Sequence, residues 1–266
     1  MNRPAEAAAG APLLETRSLT KDFGGVRAVN KVSIRVAPAT LHVVIGPNGA
    51  GKTTLFHLLT GVVSPTSGEI FFDGEVVTGV SLSGRVKRGL ARSYQKTNIF
   101  PRLTVRQNIL AAAHRAKGTG WKSLLGATAS TREAERLTDQ ILEDLGLQDQ
   151  SEAEAQTLPY GSQRLIDIGI ALACEPKLLL LDEPTSGLSS GELDRIIEFI
   201  RDLRTRYSIL LIEHNMDLVL AFADVITVLN FGEVIAEGKP AEIAKNALVQ
   251  EAYFGQATTA TSGAKA

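Results

Sequence analysis

A single cysteine, Cys174, stands in the 266 residues, which excludes an internal disulfide framework and suits a reducing cytosol. Its setting, Ala171-Leu172-Ala173-Cys174, marks it as a small core residue. An excess of either charge is also missing. With 28 Lys and Arg against 29 Asp and Glu, the chain has no clustered basic surplus to support a nucleic-acid partner, and none is expected. Long hydrophobic runs are absent as well: Asp167 and Glu175 interrupt the best region, well short of the roughly 18 or more apolar residues that read as a membrane-spanning helix. The chain is therefore expected not to cross a membrane by itself. Pro4, Glu6 and Pro12 deny the N-terminus the apolar core of a secretory signal. Residues 1–12 read as a flexible tail, and residues 256–266 as another.

What is present is a globular composition, 44% hydrophobic, enough for one large or two small domains. The central stretch is GPNGAGKTT: Gly46, Pro47, Asn48, Gly49, Ala50, Gly51, Lys52, Thr53 and Thr54. It follows the apolar run Leu41–Ile45, which reads as a buried strand. It opens into Leu55, Phe56, Leu58 and Leu59, spaced as on one face of a helix. Strand, Gly-rich loop and helix are the context that a G-x-x-x-x-G-K-[ST] motif requires. The glycines let successive backbone N–H groups and the helix N-terminus point at a phosphate chain. Lys52 is placed to bridge the β- and γ-phosphates, and the Thr53 hydroxyl to face Mg²⁺. Nucleotide binding follows.

Upstream, Leu13–Thr20 and Val29–Val36 show β-type alternation around the turn Phe23-Gly24-Gly25. Phe23 either caps this small sheet or offers its face to a base, since every base has a π-face. Between Glu69 and Val77 a second strand pair turns at Asp73-Gly74. Leu90–Tyr94 reads as a strand ending at Gln95, Pro101 enforces a loop, and a helical pattern runs from near Thr104 to Gly146, broken by a Gly-rich segment around Trp121. A turn at Tyr160-Gly161-Ser162 opens another helix. Leu178–Leu181 then forms an apolar strand ending in Asp182-Glu183, the form of a Walker B strand. Asp182 is expected beside the P-loop Mg²⁺, and Glu183 where a carboxylate can orient or deprotonate the attacking water. Ile209–Ile212 is one more apolar strand, ending in Glu213-His214. Parallel sheets bind ligands outside the carboxyl ends of their strands, which is where Gly46, Gln95, Asp182 and His214 are all expected to fall.

From about Leu13 to Gly255 the chain resembles the ATP-binding subunit of ABC transporters. The resemblance implies an α/β fold: a RecA-like P-loop core, a small antiparallel β-subdomain, and an inserted helical subdomain at about 97–172. It implies ATP and Mg²⁺ as ligands, with Thr53, Gln95 and Asp182 at the metal. Glu183 is then the catalytic glutamate, Gln95 the Q-loop, His214 the switch histidine and Phe23 the adenine-stacking aromatic. Tyr160, Gly161 and Ser162 belong to the signature motif, which in this family meets the γ-phosphate held by a second ATPase subunit. Other implied partners are membrane permease subunits and, indirectly, an external solute-binding protein, with the chain peripheral on the cytoplasmic face of the inner membrane. The phrases KDFGGVRAV, GLARSYQKTNIFPRLTVRQNIL, LPYG, IEHNMDLV and EAYFG are similar to the larger ATPase subunit of branched-chain amino-acid importers. Related phrasing also serves urea, amides and aromatic acids, and a lipopolysaccharide-export ATPase is close in pattern.

Two stretches depart from the family. LSGGQ is replaced by Leu158-Pro159-Tyr160-Gly161-Ser162, without a serine at its second position, and the D-loop SALD by Ser186-Gly187-Leu188-Ser189. Other P-loop classes fit less well. A GTPase would carry N-K-x-D, and Asn30-Lys31-Val32-Ser33 lacks the aspartate. A soluble ABC ATPase of DNA repair or translation would carry two cassettes or a long coiled-coil insertion. A non-catalytic scaffold would have no use for Glu183 and His214.

Overall fold

Three strands carry the fold because each is apolar at four of its five positions. LHVVI, LLLLD and SILLI are buried at every position, the pattern of strands covered on both faces rather than one. In the computed structural model, which describes residues 11–93, 97–118 and 129–260, the chain begins with β1 Leu14–Phe23, β2 Val26–Val32, β3 Arg35–Val36, β4 Leu41–Ile45, α1 Lys52–Thr60, β5 Ser67–Phe72, β6 Glu75–Val76, α2 Leu82–Lys87 and β7 Leu90–Arg92. It continues with α3 Val105–Ala116, α4 Ala129–Leu145, α5 Tyr160–Leu172, β8 Leu178–Asp182, α6 Ser190–Leu203, β9 Ser208–Ile212, α7 Met216–Phe222, β10 Val225–Asn230, β11 Glu233–Gly238, α8 Pro240–Ile243 and α9 Ala247–Ala260. Gln95 and the segment around Trp121 lie outside the described residues, as do residues 1–10 and 261–266.

The chain divides into two units, Met1–Leu82 with Ile212–Ala266, and Ser83–Leu211. The first holds an antiparallel sheet in the order β2-β1-β5-β6, with β3 on β1. Its strands β1 and β2 run to Phe23 and resume at Val26, so the expected hairpin forms with a shorter turn, Gly24-Gly25. Asp73 and Gly74, at φ 51° and 78°, turn β5 into β6, a conformation that matches the strand twist of a hairpin. In the same unit β10 lies parallel to β4 and antiparallel to β11. The helix α9 extends through Ala260, into the stretch that composition assigns to a tail; Gln, Ala and Thr there are compatible with helix.

The second unit has strand order β9-β8-β7, with β7 and β8 parallel. Beside it stands a helical layer. Thr104 caps α3 reciprocally with Gln107: the Gln107 N–H donates to the Thr104 hydroxyl at 3.1 Å and the Thr104 N–H to the Gln107 carboxamide at 3.0 Å, which satisfies two end donors of the helix. Val105, Ile109 and Ala113 of α3, Ile141, Leu142 and Leu145 of α4, and Leu165 and Ile168 of α5 form its buried face. Cys174, just after α5, is half-buried rather than fully in the core, and burial pushes its thiol up.

Candidate functional site

In the first unit β4 delivers the chain into the Gly-rich loop. A Cβ on Gly46 would lie 2.2 Å from the Leu229 carbonyl oxygen, and one on Gly51, at φ 98°, 2.3 Å from that of Ala28. Any side chain would force these backbones apart, so the loop is glycine there by close approach. Gly51 ends the loop and caps α1. Lys52, buried, donates its ammonium to the carbonyls of Gly46 at 2.6 Å and Pro47 at 3.0 Å. The lysine thus folds back onto the first two carbonyls of its own loop. Thr53 and the loop residues Asn48 and Gly49 are exposed, Pro47 and Thr54 half-buried, and Ala50 buried. Asn48 through Thr54 therefore present the loop's outward backbone and the first turn of α1.

Two other expected residues lie in this unit. Phe23 ends β1 with half its surface exposed, and the Lys21 ammonium stands 5.0 Å from its ring centroid, within the range of a cation–π contact. The ring is therefore not packed into the small sheet. His214 follows the buried Glu213, whose N–H donates to the Val44 carbonyl at 3.2 Å. The imidazole thus stands one residue beyond a contact with β4, the strand that opens the P-loop, and its side chain is 54% exposed.

In the second unit, Asp182 ends β8 and Glu183 follows it. Asp182 is buried and ion-paired to Arg92 at 2.5 Å. Glu183 has φ 46°, a left-handed backbone that a non-glycine residue adopts at a cost of order 1–3 kcal/mol where the surroundings enforce it. Here the enforcing group is Arg164 of α5, itself buried. Its guanidinium donates to the carbonyls of Asp182 at 3.2 Å, Glu183 at 2.7 Å and Pro184 at 3.3 Å. Three successive carbonyls gathered on one fixed cation hold the loop that carries the Glu183 carboxylate.

The signature residues open the same helix. Pro159 stands at the N-cap of α5 without a side-chain cap, Tyr160 is exposed, and Gly161 and Ser162 are buried. The missing cap comes from another helix. The Gly161 N–H donates to the Glu192 carboxylate at 2.8 Å, and Glu192 also accepts from the Ser189 N–H and hydroxyl at 3.0 and 2.6 Å. Hydrogen bonds from the Ser189 hydroxyl, then from the Ser189 and Gly161 amides, hold the Glu192 carboxyl below the usual range. One carboxylate therefore caps both α5 and α6.

The structure gathers the loop residues in one unit with Phe23 and His214, and the Walker B pair in the other with the signature. Arg92, Arg164 and Glu192 were not singled out from the sequence. For Arg164 a signal existed, a lone cation in the apolar helix Leu165-Ile166-Asp167-Ile168. For Arg92 and Glu192 the partners lie 90 and 31 residues away, and only the register of strands and helices pairs them.

The family profile of ABC transporters matches residues 29–186, and that of the branched-chain amino acid ATP-binding cassette transporter residues 233–258. The high-affinity branched-chain amino acid transport ATP-binding protein BraF of Pseudomonas aeruginosa is 39% identical over 92% of this chain and 99% of its own length. LivG of Escherichia coli, of the same description, is 39% identical with the same coverage. Among solved structures, MJ1267, an ATP-binding cassette of an ABC transporter, superposes with a TM-score of 0.81 at 29% identity, over 92% of this chain and 99% of that one. Likeness of this extent, on a chain whose P-loop and Walker B strand are built as described, places it: the protein belongs to the ABC transporter family, as an ATP-binding, ATP-hydrolysing subunit with the RecA-like α/β fold of that family.

Proposed function

We propose that the chain powers import of a small solute, a branched-chain or related amino acid, through membrane permease subunits that it serves from the cytoplasmic face. The observation that carries this reading is the 39% identity to BraF over 92% of the chain, extended by the match of the branched-chain profile to residues 233–258. Among the described residues no helix is long and apolar enough to cross a membrane, so a pathway for the solute would come from other subunits. A second ATPase subunit completes the assembly, with an external binding protein delivering the solute.

In this reading the P-loop from Gly46 to Thr54 wraps the phosphates, Lys52 takes the β- and γ-phosphates in place of the Gly46 and Pro47 carbonyls, and Phe23 stacks on adenine. The half-exposed ring supports the stacking role over the capping one. Magnesium fits the donors available: Thr53 supplies a hydroxyl, Asp182 a carboxylate and Gln95 a carboxamide, and among the described residues no cluster of His, Cys, Asp and Glu could hold a metal alone. Such a set suits a hard cation that keeps several waters and binds through substrate phosphates. The ion would neutralise charge developing on the β- and γ-oxygens. Glu183 orients water and accepts its proton as the water oxygen bonds to the γ-phosphorus and the bridge to the β-phosphate breaks; ADP leaves with that bond's electron pair. His214, which follows β9, and Gln95 then contact the γ-phosphate side. Tyr160, Gly161 and Ser162 face the ATP held by the companion subunit.

Reconstitution tests the cargo. The chain is assembled with its permease and companion ATPase subunits in liposomes, and ATP-dependent uptake of leucine, isoleucine and valine is compared with that of aspartate and lysine. Uptake of the branched aliphatic acids alone is expected. Extraction of a lipid with no amino-acid uptake would replace the import reading with the exporter one.

A further inference from the structure

Arg92 and Asp182 end neighbouring parallel strands. The register sets Arg92 opposite Leu180, and Leu180 and Asp182 share a face of β8 because side chains alternate along a strand. A long side chain at Arg92 therefore reaches diagonally to the carboxylate two residues on. Its guanidinium meets Asp182 at 2.5 Å, with the two side chains 5% and 4% exposed. Burying both charges costs desolvation that their attraction offsets only while both are present; removing one leaves the other buried without compensation. The main chain at Asp182 is fixed independently, by the Arg164 guanidinium on its carbonyl. Asp182 thus has a rigid backbone and a side chain already held by a cation.

We propose that Arg92 is the resident counter-ion of Asp182 and that the divalent cation arriving with ATP competes with it for the same carboxylate. This rests on the reading of Asp182 as a magnesium ligand. Two cations of different kind then alternate on one anion. The guanidinium holds the carboxylate in place while the site lacks metal, and its release or retention sets how strongly magnesium strengthens nucleotide binding. Arg92 is a positioning residue: it acts through Asp182 and touches no reacting atom. The competition also gives β7 a means of registering metal-bound nucleotide, because Arg92 is the last residue of that strand.

The test is a thermodynamic cycle on the full chain. The Kd of a non-hydrolysable ATP analogue is measured in EDTA and in excess Mg²⁺, and the ratio of the two is the metal's contribution. With Arg92→Met the melting temperature in EDTA should fall. The ratio should rise on the order of tenfold, the scale of a typical coupling between two binding events, because magnesium no longer displaces a guanidinium. Arg92→Lys, a point charge in place of a planar fork, should raise it less, and decides the matter alone if the methionine variant does not fold. A ratio equal to that of the unaltered chain in both variants, with the melting temperature lowered equally in EDTA and in Mg²⁺, would reduce Arg92 to a structural ion pair and overturn the proposal. Asp182→Asn separates the underlying reading. Loss of the metal's contribution is expected, whereas an unchanged ratio would remove Asp182 from the metal and the proposal with it.

Discussion

At Glu183 two demands meet in one residue: a carboxylate that must reach water, and a backbone at φ 46° that its own sequence does not favour. The residue that follows is Pro184, which restricts the conformation of its predecessor further, so the loop depends on Arg164 for its shape. If Glu183 is the base, Glu183→Gln should keep ATP binding and lower turnover by about two or more orders of magnitude, because an amide accepts no proton. Steady-state ATPase beside an equilibrium binding titration checks both halves, and near-normal turnover would move the base elsewhere. Phe23 is simpler. A half-exposed ring at a strand end has little to lose structurally, so Phe23→Ala should leave the melting temperature nearly unchanged while weakening ATP by about 1–3 kcal/mol, with little discrimination between ATP and GTP. Unaltered nucleotide affinity would remove Phe23 from the base site.

Elements show what could be read in advance and what could not. The P-loop and the Walker B strand were readable because their residues are contiguous: a fully buried strand, apolar except at His42, delivers the chain to Gly46, and Leu178–Leu181 deliver it to Asp182. The turn at Asp73-Gly74 and the helix start near Thr104 were readable for the same reason, each being a local preference of the backbone. The contacts that complete the second unit were not. Arg92, Arg164 and Glu192 act on residues far away in the chain, and no local pattern specifies a partner set by strand register or helix packing. The signature helix joins both cases. Its sequence showed that Pro159 has neither a side-chain donor nor an N–H, yet not that Glu192 of α6 caps it. That carboxylate occupies a backbone donor that a phosphate of a companion's ATP would take, so ATP-driven pairing of the chain with itself should be weak. Pro159→Ser adds a hydroxyl at the helix start and should strengthen ATP-dependent dimerisation of the Glu183→Gln chain, followed by light scattering. Full dimerisation of the Glu183→Gln chain that the serine does not change would show that the odd signature costs nothing.

For the molecule as a whole, one response to acid is built into the strand that leads to the P-loop. His42 of β4 is buried, its Nε2 2.7 Å from the Thr227 hydroxyl on β10, and that hydroxyl donates to Glu237 of β11 at 2.7 Å. Three adjacent strands of the first unit are thereby joined by one polar chain that runs from the buried His42 to Glu237 at the surface. Burial lowers the His42 pKa from 6.5 to about 4, against a smaller opposing effect of the Arg35 carbonyl. The unfolded chain therefore takes up a proton at this ring below pH 6.5 while the folded one does not until about 4. The stability that the neutral ring contributes is present above pH 6.5 and is lost as pH falls through this window, by roughly 3 kcal/mol in all. Glu237 acts in the opposite sense, since burial raises its pKa although the Thr227 hydroxyl lowers it, so the folded state gains from its protonation as pH falls. The share of His42 is isolated by comparing His42→Gln with the unaltered chain: urea midpoints are measured at pH 7 and pH 4, and the difference between the two values is the readout. Whatever the substitution costs at neutral pH, the variant should lose less stability on acidification. Parallel losses in the two chains would mean that acid acts first elsewhere, and that the strand feeding the P-loop is not where the fold gives way.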